Sequence, residues 1–510
     1  MRADSEPVVE IAQGALRGFR DGDLARFYGV PYADPPVGDL RFRDPRPPKP
    51  WAGEFDATEF GPPCPQPKIG LPSKGPAHSE DCLRLNIVAR AEPGAGRPVL
   101  VFFHGGLNLF GDGSYVSGGG SLPRNHDVVL VSANFRLGPF GYTHFGEFGS
   151  SKRPFDTNLG LKDQIAVLSW VKENIAAFGG DPGNVTIWGQ SAGANAVLSL
   201  MSAPKAGGLF HRAIAQSPPA ATILDPDDGE LYARWFLEAL GAGPGEAQLA
   251  LTRATSGELV AAMAKLGKIV GERRPGARHL APVLDDKALP RRVIDAFAGG
   301  HAHRVPLIIG TNKDDVIVQL KWKGLAHEAR DLVAAVTAQD PARAAWIPDF
   351  FPDLPKRKAA IPFNGDLRYW VPARAVAEGH SEFAPTHMYR YDWSSRFSRL
   401  LGFGATHTIE LLSCFDELRS FRSVFLSLSG RKEREELSQV TEHLQRRWLA
   451  FVKGGEPGEG WPQYRPEDRQ TLVLDVEERV ESDPWPGRRR FWTGFDISGF
   501  NHKASSAKAP

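Results

Sequence analysis

Asn184-Val185-Thr186-Ile187-Trp188-Gly189-Gln190-Ser191-Ala192-Gly193-Ala194 is the stretch that decides how this chain is read. Val185 to Trp188 is a β-branched and aromatic run, and an Ala/Leu-rich helical pattern follows Gly193. Gly-x-Ser-x-Gly stands between them, so a strand must turn sharply into a helix at Ser191. Such a turn strains the serine backbone and lifts its hydroxyl above the sheet. Gly189 and Gly193 suit a place where strand and helix crowd together. The bare pattern is common by chance. Its flanking strand and helix make it a nucleophile elbow rather than a turn with a capping serine.

Outward from the elbow, strand-like and helix-like segments alternate. Pro98 to Phe103 is a buried-strand pattern ending in His104-Gly105-Gly106, and Asp127 to Asn134 is another. Asp163 to Phe178 places Ile165, Leu168, Val171, Ile175 and Phe178 on one helix face. Arg212 to Gln216 and Val305 to Ile309 read as further strands. This alternation predicts an α/β fold with a mostly parallel sheet covered on both faces. The segments from Pro226 to Arg304 and from Lys321 to Gly379 are helix-rich. They read as excursions from the sheet that could cap an active site. Glu433 to Val452 is the last long helix, with Leu437, Val440, Leu444, Trp448 and Phe451 as its apolar positions. One domain is expected over residues 1–500, with a disordered polar tail at 501–510.

The chain has 510 residues and is 42% apolar, enough for a large buried core. Its 61 basic and 60 acidic side chains leave a net charge of +1. That balance gives no support to a nucleic-acid or polyanion partner. Arg488-Arg489-Arg490, between Trp485 and Trp492, reads as a solvated turn. Met1 to Gly18 has no apolar signal core, and no segment approaches the ~18 apolar residues of a membrane span. A soluble, cytoplasmic protein is expected. Cys64, Cys82 and Cys414 are too few for a disulfide framework and lack C-x-x-C spacing. His301 and His303 have no third ligand nearby and read as a surface turn. No metal or cofactor is expected. Ser117-Gly118-Gly119-Gly120-Ser121 lacks a following Lys-Ser/Thr and reads as a flexible loop, not a phosphate cradle.

A serine hydroxyl needs a base, and the base needs an orienting acid. In a sheet of this kind they follow in the chain order nucleophile, acid, base. Gly310-Thr311-Asn312-Lys313-Asp314-Asp315 follows a buried-strand pattern and offers carboxylates in a loop. Gly404-Ala405-Thr406-His407-Thr408-Ile409-Glu410 presents a histidine among small residues, one of 14 in the chain. An oxyanion hole needs backbone N–H groups, from Ala192 after the nucleophile and from a Gly-rich loop after an early strand. His104-Gly105-Gly106-Leu107 is in that place.

From about Val8 to Trp492 the chain resembles the type-B carboxylesterases, which include para-nitrobenzyl esterases, cholinesterases and animal carboxylesterases. The resemblance rests on ordered motifs: Phe27-Tyr-Gly-Val-Pro-Tyr-Ala33, Pro35-Pro-Val-Gly38, Leu40-Arg41-Phe42, Ser79-Glu80-Asp81-Cys82-Leu83, Asn134-Phe135-Arg136, Gly160-Leu161-Lys162-Asp163-Gln164 and Phe178 to Ile187. It implies the α/β-hydrolase fold, with Ser191 as nucleophile, His407 as base and Asp315 as acid. It further implies Gly106, Leu107 and Ala192 as oxyanion donors, and Ser217 as a support for the acid. Arg41 with Glu80, and Arg136 with Asp163, match ion pairs of the family, and Cys64 with Cys82 matches its first disulfide. The chain departs from the family in Gln190, where glutamate is usual, in an aspartate acid rather than glutamate, and in Leu107 for a third glycine.

The expected function is hydrolysis of small-molecule carboxylic esters through an acyl-enzyme. Uncharged, apolar esters fit the near-zero charge and the 30 Phe, 12 Trp and 9 Tyr residues. Amides, carbamates and thioesters share the same acyl-enzyme chemistry and are the alternative substrates. A non-catalytic adhesion protein can share this fold, but it would not need a complete Ser191, Asp315, His407 set.

Overall fold

The computed structural model describes residues 6–68, 76–92, 94–114, 119–317, 321–415 and 430–500. The tail at 501–510 lies outside them, as do Ser117 and Gly118 of the glycine run. The chain packs as two compact units.

The first unit comprises Met1–Arg212, Leu224–Ile269 and His279–Pro290. Its strands are β1 (Val8–Ile11), β2 (Gly14–Arg17), β3 (Phe19–Asp21), β4 (Leu24–Pro31), β5 (Glu54–Asp56), β6 (Arg84–Arg90), β7 (Arg97–Phe103), β8 (Val129–Ala133) and β9 (Gly180–Gln190). β1, β2 and β5 form a small sheet, while the others run in the order β3-β4-β6-β8-β7-β9. β7 is parallel to both β8 and β9. β3, β4, β6 and β8 pair antiparallel, so the expected mostly parallel sheet is mixed on this side. The reason for the first pair is the tight link between β3 and β4 at Gly22 (φ 65), because parallel pairing needs a long crossover. Val99, Val101 and Phe103 of β7, with Val185 and Ile187 of β9, are fully buried. Strands covered on both faces read as continuous apolar runs for this reason.

The helix expected from Asp163 instead runs Leu159–Asn174. A 3₁₀ turn, Ile175–Phe178, continues it and ends at Gly179 (φ 78). Both expected ion pairs form in this unit. Arg41 Nε donates to Glu80 Oε2 at 2.7 Å, and buried Arg136 grips both oxygens of Asp163 at 2.8 and 2.6 Å. Cys64 and Cys82, the candidate disulfide pair, adjoin each other as thiols. Both are buried free thiols, and Cys64 Sγ accepts the Leu137 N–H at 3.2 Å. A hydrogen bond with the Cys64 thiol, and then burial, push the Cys82 thiol well up.

The second unit comprises Ala213–Ile223, Val270–Arg278 and Arg291–Pro510. β10 (Arg212–Gln216), β11 (Leu307–Asn312), β12 (Thr386–Tyr391) and β13 (Gln470–Leu474) are parallel in that order, and β14 (Arg479–Ser482) adds an antiparallel edge. Every residue of β11 and β12 is buried. Lys321–Gln339, Arg357–Gly365, Val371–Ser381 and Arg431–Gly454 are the principal helices, and a π-helical turn, Asp366–Trp370, joins the second to the third.

The triple arginine is not a solvated turn. It lies in the helix Pro486–Trp492, where the Arg488 guanidinium sits 3.9 Å from the Trp485 ring centroid and pairs with Asp366. Asp366 is fully buried, and a buried carboxylate without a cation would be costly. Among the described residues, no helix is long and apolar enough to cross a membrane.

Candidate active site

Ser191 lies between β9 and the helix Ala192–Ser202 with φ 59 and ψ −125. That conformation is rare for a non-glycine residue and is the strain expected of an elbow. Gly189 and Gly193 make it possible. A Cβ at Gly189 would strike the carbonyl of Gly193, and one at Gly193 would strike the carbonyl of Phe103. Ser191 is buried, at the N-terminus of the helix Ala192–Ser202, where the macrodipole favours negative charge.

The loop after β7 packs directly on this elbow. A Cβ at Gly105 would lie 3.1 Å from Ser191 Cβ and 2.8 Å from the Gln190 carbonyl. Gln190 is buried, with its Oε1 on the same side, 3.2 Å from that position. Gly106, Leu107 and Asn108 then take φ of 114, 60 and 57. The Gly106 carbonyl accepts from the N–H groups of Leu109 at 2.9 Å and Phe110 at 3.1 Å, which closes the loop. Among the described residues, none accepts from the N–H groups of Gly106, Leu107 or Ala192. His104 stacks on Phe135 at 4.4 Å, and burial holds its imidazole below the ordinary range.

In the second unit Asp315 and His407 meet. His407 Nδ1 lies 2.6 Å from Asp315 Oδ1. Asp315 Oδ2 accepts from Ser217 Oγ at 2.6 Å and from the Asn312 N–H at 3.1 Å. The carboxylate is therefore fixed from three directions. With Nδ1–H donating to it, Nε2 is the basic nitrogen of the imidazole. Ser217 follows β10 with φ 51, and its N–H donates to the Gly310 carbonyl at 2.8 Å.

The acid loop and the histidine loop are laced together. Thr406 Oγ1 and the His407 N–H both donate to the Val316 carbonyl, at 2.7 and 3.2 Å, and Asn312 Nδ2 donates to the Thr406 carbonyl at 2.8 Å. Asn312 also donates to Glu410, which is fully buried one turn past His407. Burial, with the Asp315 charge second, pushes the Glu410 carboxyl up to about 7.

Sequence reasoning missed Asn312, Glu410 and Tyr369, whose ring stacks on His407. Asn312 and Glu410 carried a faint signal, as polar residues in the acid and histidine motifs themselves. Tyr369 carried none.

Residues 5–340 and 353–492 match the profile of the Carboxylesterase family. The chain is 35% identical to the para-nitrobenzyl esterase of Bacillus subtilis, over 95% of this chain and 98% of that protein. It is 32% identical to the liver carboxylesterase of Sus scrofa, over 92% and 89% respectively. Among solved structures, a PNB esterase superposes with a TM-score of 0.84 at 34% identity, covering 96% of this chain and 99% of that one. A Geobacillus stearothermophilus carboxylesterase superposes with a TM-score of 0.83 at 33% identity, covering 95% and 99%. With an α/β-hydrolase architecture shared over nearly its full length, this chain belongs to the carboxylesterase family of ester-bond hydrolases.

Proposed function

We propose that the chain is a serine esterase that cleaves uncharged, apolar small-molecule esters through Ser191, His407 and Asp315. The observation that carries this reading is the 2.6 Å contact between His407 Nδ1 and Asp315 Oδ1. It orients the imidazole and commits Nε2 to act as a base. Ser191 Oγ attacks the ester carbonyl as His407 Nε2 takes its proton. The N–H groups of Gly106, Leu107 and Ala192 bind the oxyanion that forms. His407 then protonates the leaving alcohol, and water, deprotonated by the same nitrogen, releases the acid. Asp315 holds the Nδ1 edge of the imidazole and stabilises the imidazolium.

Apolar, uncharged substrates are supported by the net charge of +1 and the aromatic-rich composition. The relative named a para-nitrobenzyl esterase fits such substrates. Work in the cytoplasm is supported by the low cysteine count, three in 510 residues, too few for a disulfide framework. The test is a fluorophosphonate probe followed by peptide mass spectrometry, with Ser191→Ala beside it. Label on Ser191 and a kcat loss of roughly 10⁴–10⁶-fold are expected. A folded Ser191→Ala protein that keeps more than a few per cent of its activity would sink the assignment.

A further inference from the structure

The rings of Tyr369 and His407 are stacked, with centroids 4.5 Å apart and planes 22° from parallel. Tyr369 belongs to the π-helical turn Asp366–Trp370. Such turns are rare, and they are found frequently at functional sites. This one is anchored on both sides of Tyr369. Asp366 accepts from Arg488 Nε at 3.0 Å and from Trp492 Nε1 at 2.9 Å. Arg368 donates to Glu328 Oε1 at 3.1 Å and to the Gly276 carbonyl at 2.9 Å, while Arg278 reaches the same Glu328 oxygen at 2.8 Å. The side chain held between these anchors is directed onto the imidazole face.

The chemistry of that face is specific. Burial, and then the Asp315 charge, push the Tyr369 phenol up, so the ring stays neutral. A neutral aromatic face attracts a cation through its quadrupole, most strongly where water is excluded. His407 becomes cationic when it accepts the serine proton. Asp315 meets that cation at the ring edge, through Nδ1, and leaves the face to Tyr369. The other charged groups in this neighbourhood are Glu410, near His407 and Asp315, and Arg278, Glu328 and Arg368, near Tyr369.

We propose that Tyr369 is a positioning residue for ester hydrolysis: its ring face fixes the plane of the His407 imidazole and stabilises the imidazolium formed during acylation. This rests on the reading of His407 as the base. A residue that only filled space would act through its shape, whereas this role acts through the electrons of the ring.

Shape and electrons are separated by replacing Tyr369 with phenylalanine carrying zero, one, two or three ring fluorines. Each fluorine weakens the π face and barely changes the volume. The acylation rate is read as the burst of para-nitrophenol from para-nitrophenyl butyrate, with circular dichroism as a check of the fold. Tyr369→Phe should acylate near the wild-type rate. The fluorinated series should fall stepwise to about a tenfold loss, the rate equivalent of ~1.4 kcal/mol, at unchanged KM. Tyr369→Leu should lose at least as much. A flat fluorine series, with His407→Ala inactive, overturns the stacking role alone. A His407→Ala protein that acylates normally overturns the reading of the base and this proposal with it.

Discussion

The carboxylate of Asp314 accepts the Ala405 N–H at 3.0 Å, and the Asp314 N–H donates back to the Ala405 carbonyl at 3.0 Å. Its neighbour Asp315 turns the other way, to His407. Two adjacent carboxylates thus divide the work. One ties the acid loop to the histidine loop, and the other faces the imidazole. Gly404 (φ 59) is part of the tie, since a Cβ there would collide with the Asp314 carboxylate.

Asn substitution should separate the two. Asp315→Asn can no longer fix the imidazole tautomer, and a loss of roughly 10⁴-fold in kcat is expected from the effect of that change in other serine hydrolases. Asp314→Asn keeps an oxygen for the Ala405 N–H and should lose far less. Steady-state kinetics on one neutral ester checks this, and equal losses, or a larger one at Asp314, would refute the division.

Leu107 occupies φ 60 and is 36% exposed, so its side chain has little packing to lose. A left-handed leucine costs about 1–2 kcal/mol, and glycine returns roughly 0.5–1 kcal/mol of that as chain entropy. Leu107→Gly should therefore raise stability slightly, by up to ~1 kcal/mol in urea titration. We expect the leucine side chain to narrow the space above this loop, which we propose supplies the oxyanion donors. The same variant should gain more kcat/KM on a tert-butyl ester than on an n-butyl ester. An unchanged ratio between the esters would remove the steric argument and leave the backbone donors untouched.

Glu410 makes stability depend on pH. Its carboxyl is raised from 4.5 to about 7 in the folded protein. Between those values the folded state holds more protons than the unfolded state, so stability falls as pH rises. The favourable contribution is complete below the unfolded value and is lost through the folded one. Glu410→Gln removes this dependence. Relative to wild type, the variant should gain stability from about pH 4 to about pH 8, by roughly 3 kcal/mol at ~1.4 kcal/mol per unit. Urea midpoints across that range test it. A stability difference constant with pH would contradict the buried-acid account.

The cysteines should differ in their chemistry on oxidation. Cys64 and Cys82 are adjoining thiols, and the Cys82 thiol is pushed well up. Cys414 is buried against Gln216, and burial raises its thiol too. The native protein should react slowly with a disulfide reagent, because the thiolate is the nucleophile. Forced oxidation should join Cys64 to Cys82 and leave Cys414 alone. Peptide mapping that found Cys414 in a bridge would contradict the pairing.

Local pattern was enough to read much of this protein. The β-branched run before Gly189, the glycines around Ser191 and the Gly-rich loop after Phe103 specify backbone conformations that only certain residues allow. The strand Arg212–Gln216 was legible through its apolar centre, Ala213-Ile214-Ala215, which is fully buried. The antiparallel side of the first unit was not, because pairing direction depends on how strands are connected and not on their composition.

Other features were decided by tertiary structure alone. Adjacent aspartates look alike in sequence, and only the fold turns Asp315 to His407 and Asp314 to Ala405. Arg488 looks like surface charge until a buried Asp366, far along the chain, receives it. Glu410 is an ordinary glutamate until desolvation raises it, and Tyr369 is one aromatic among many until a π-helical turn lays it on the imidazole. Sequence by itself determined the elbow and its loops, because backbone strain is encoded residue by residue. The pairings of charge and ring were set by the fold, because they depend on which distant segments share a place from which water is excluded.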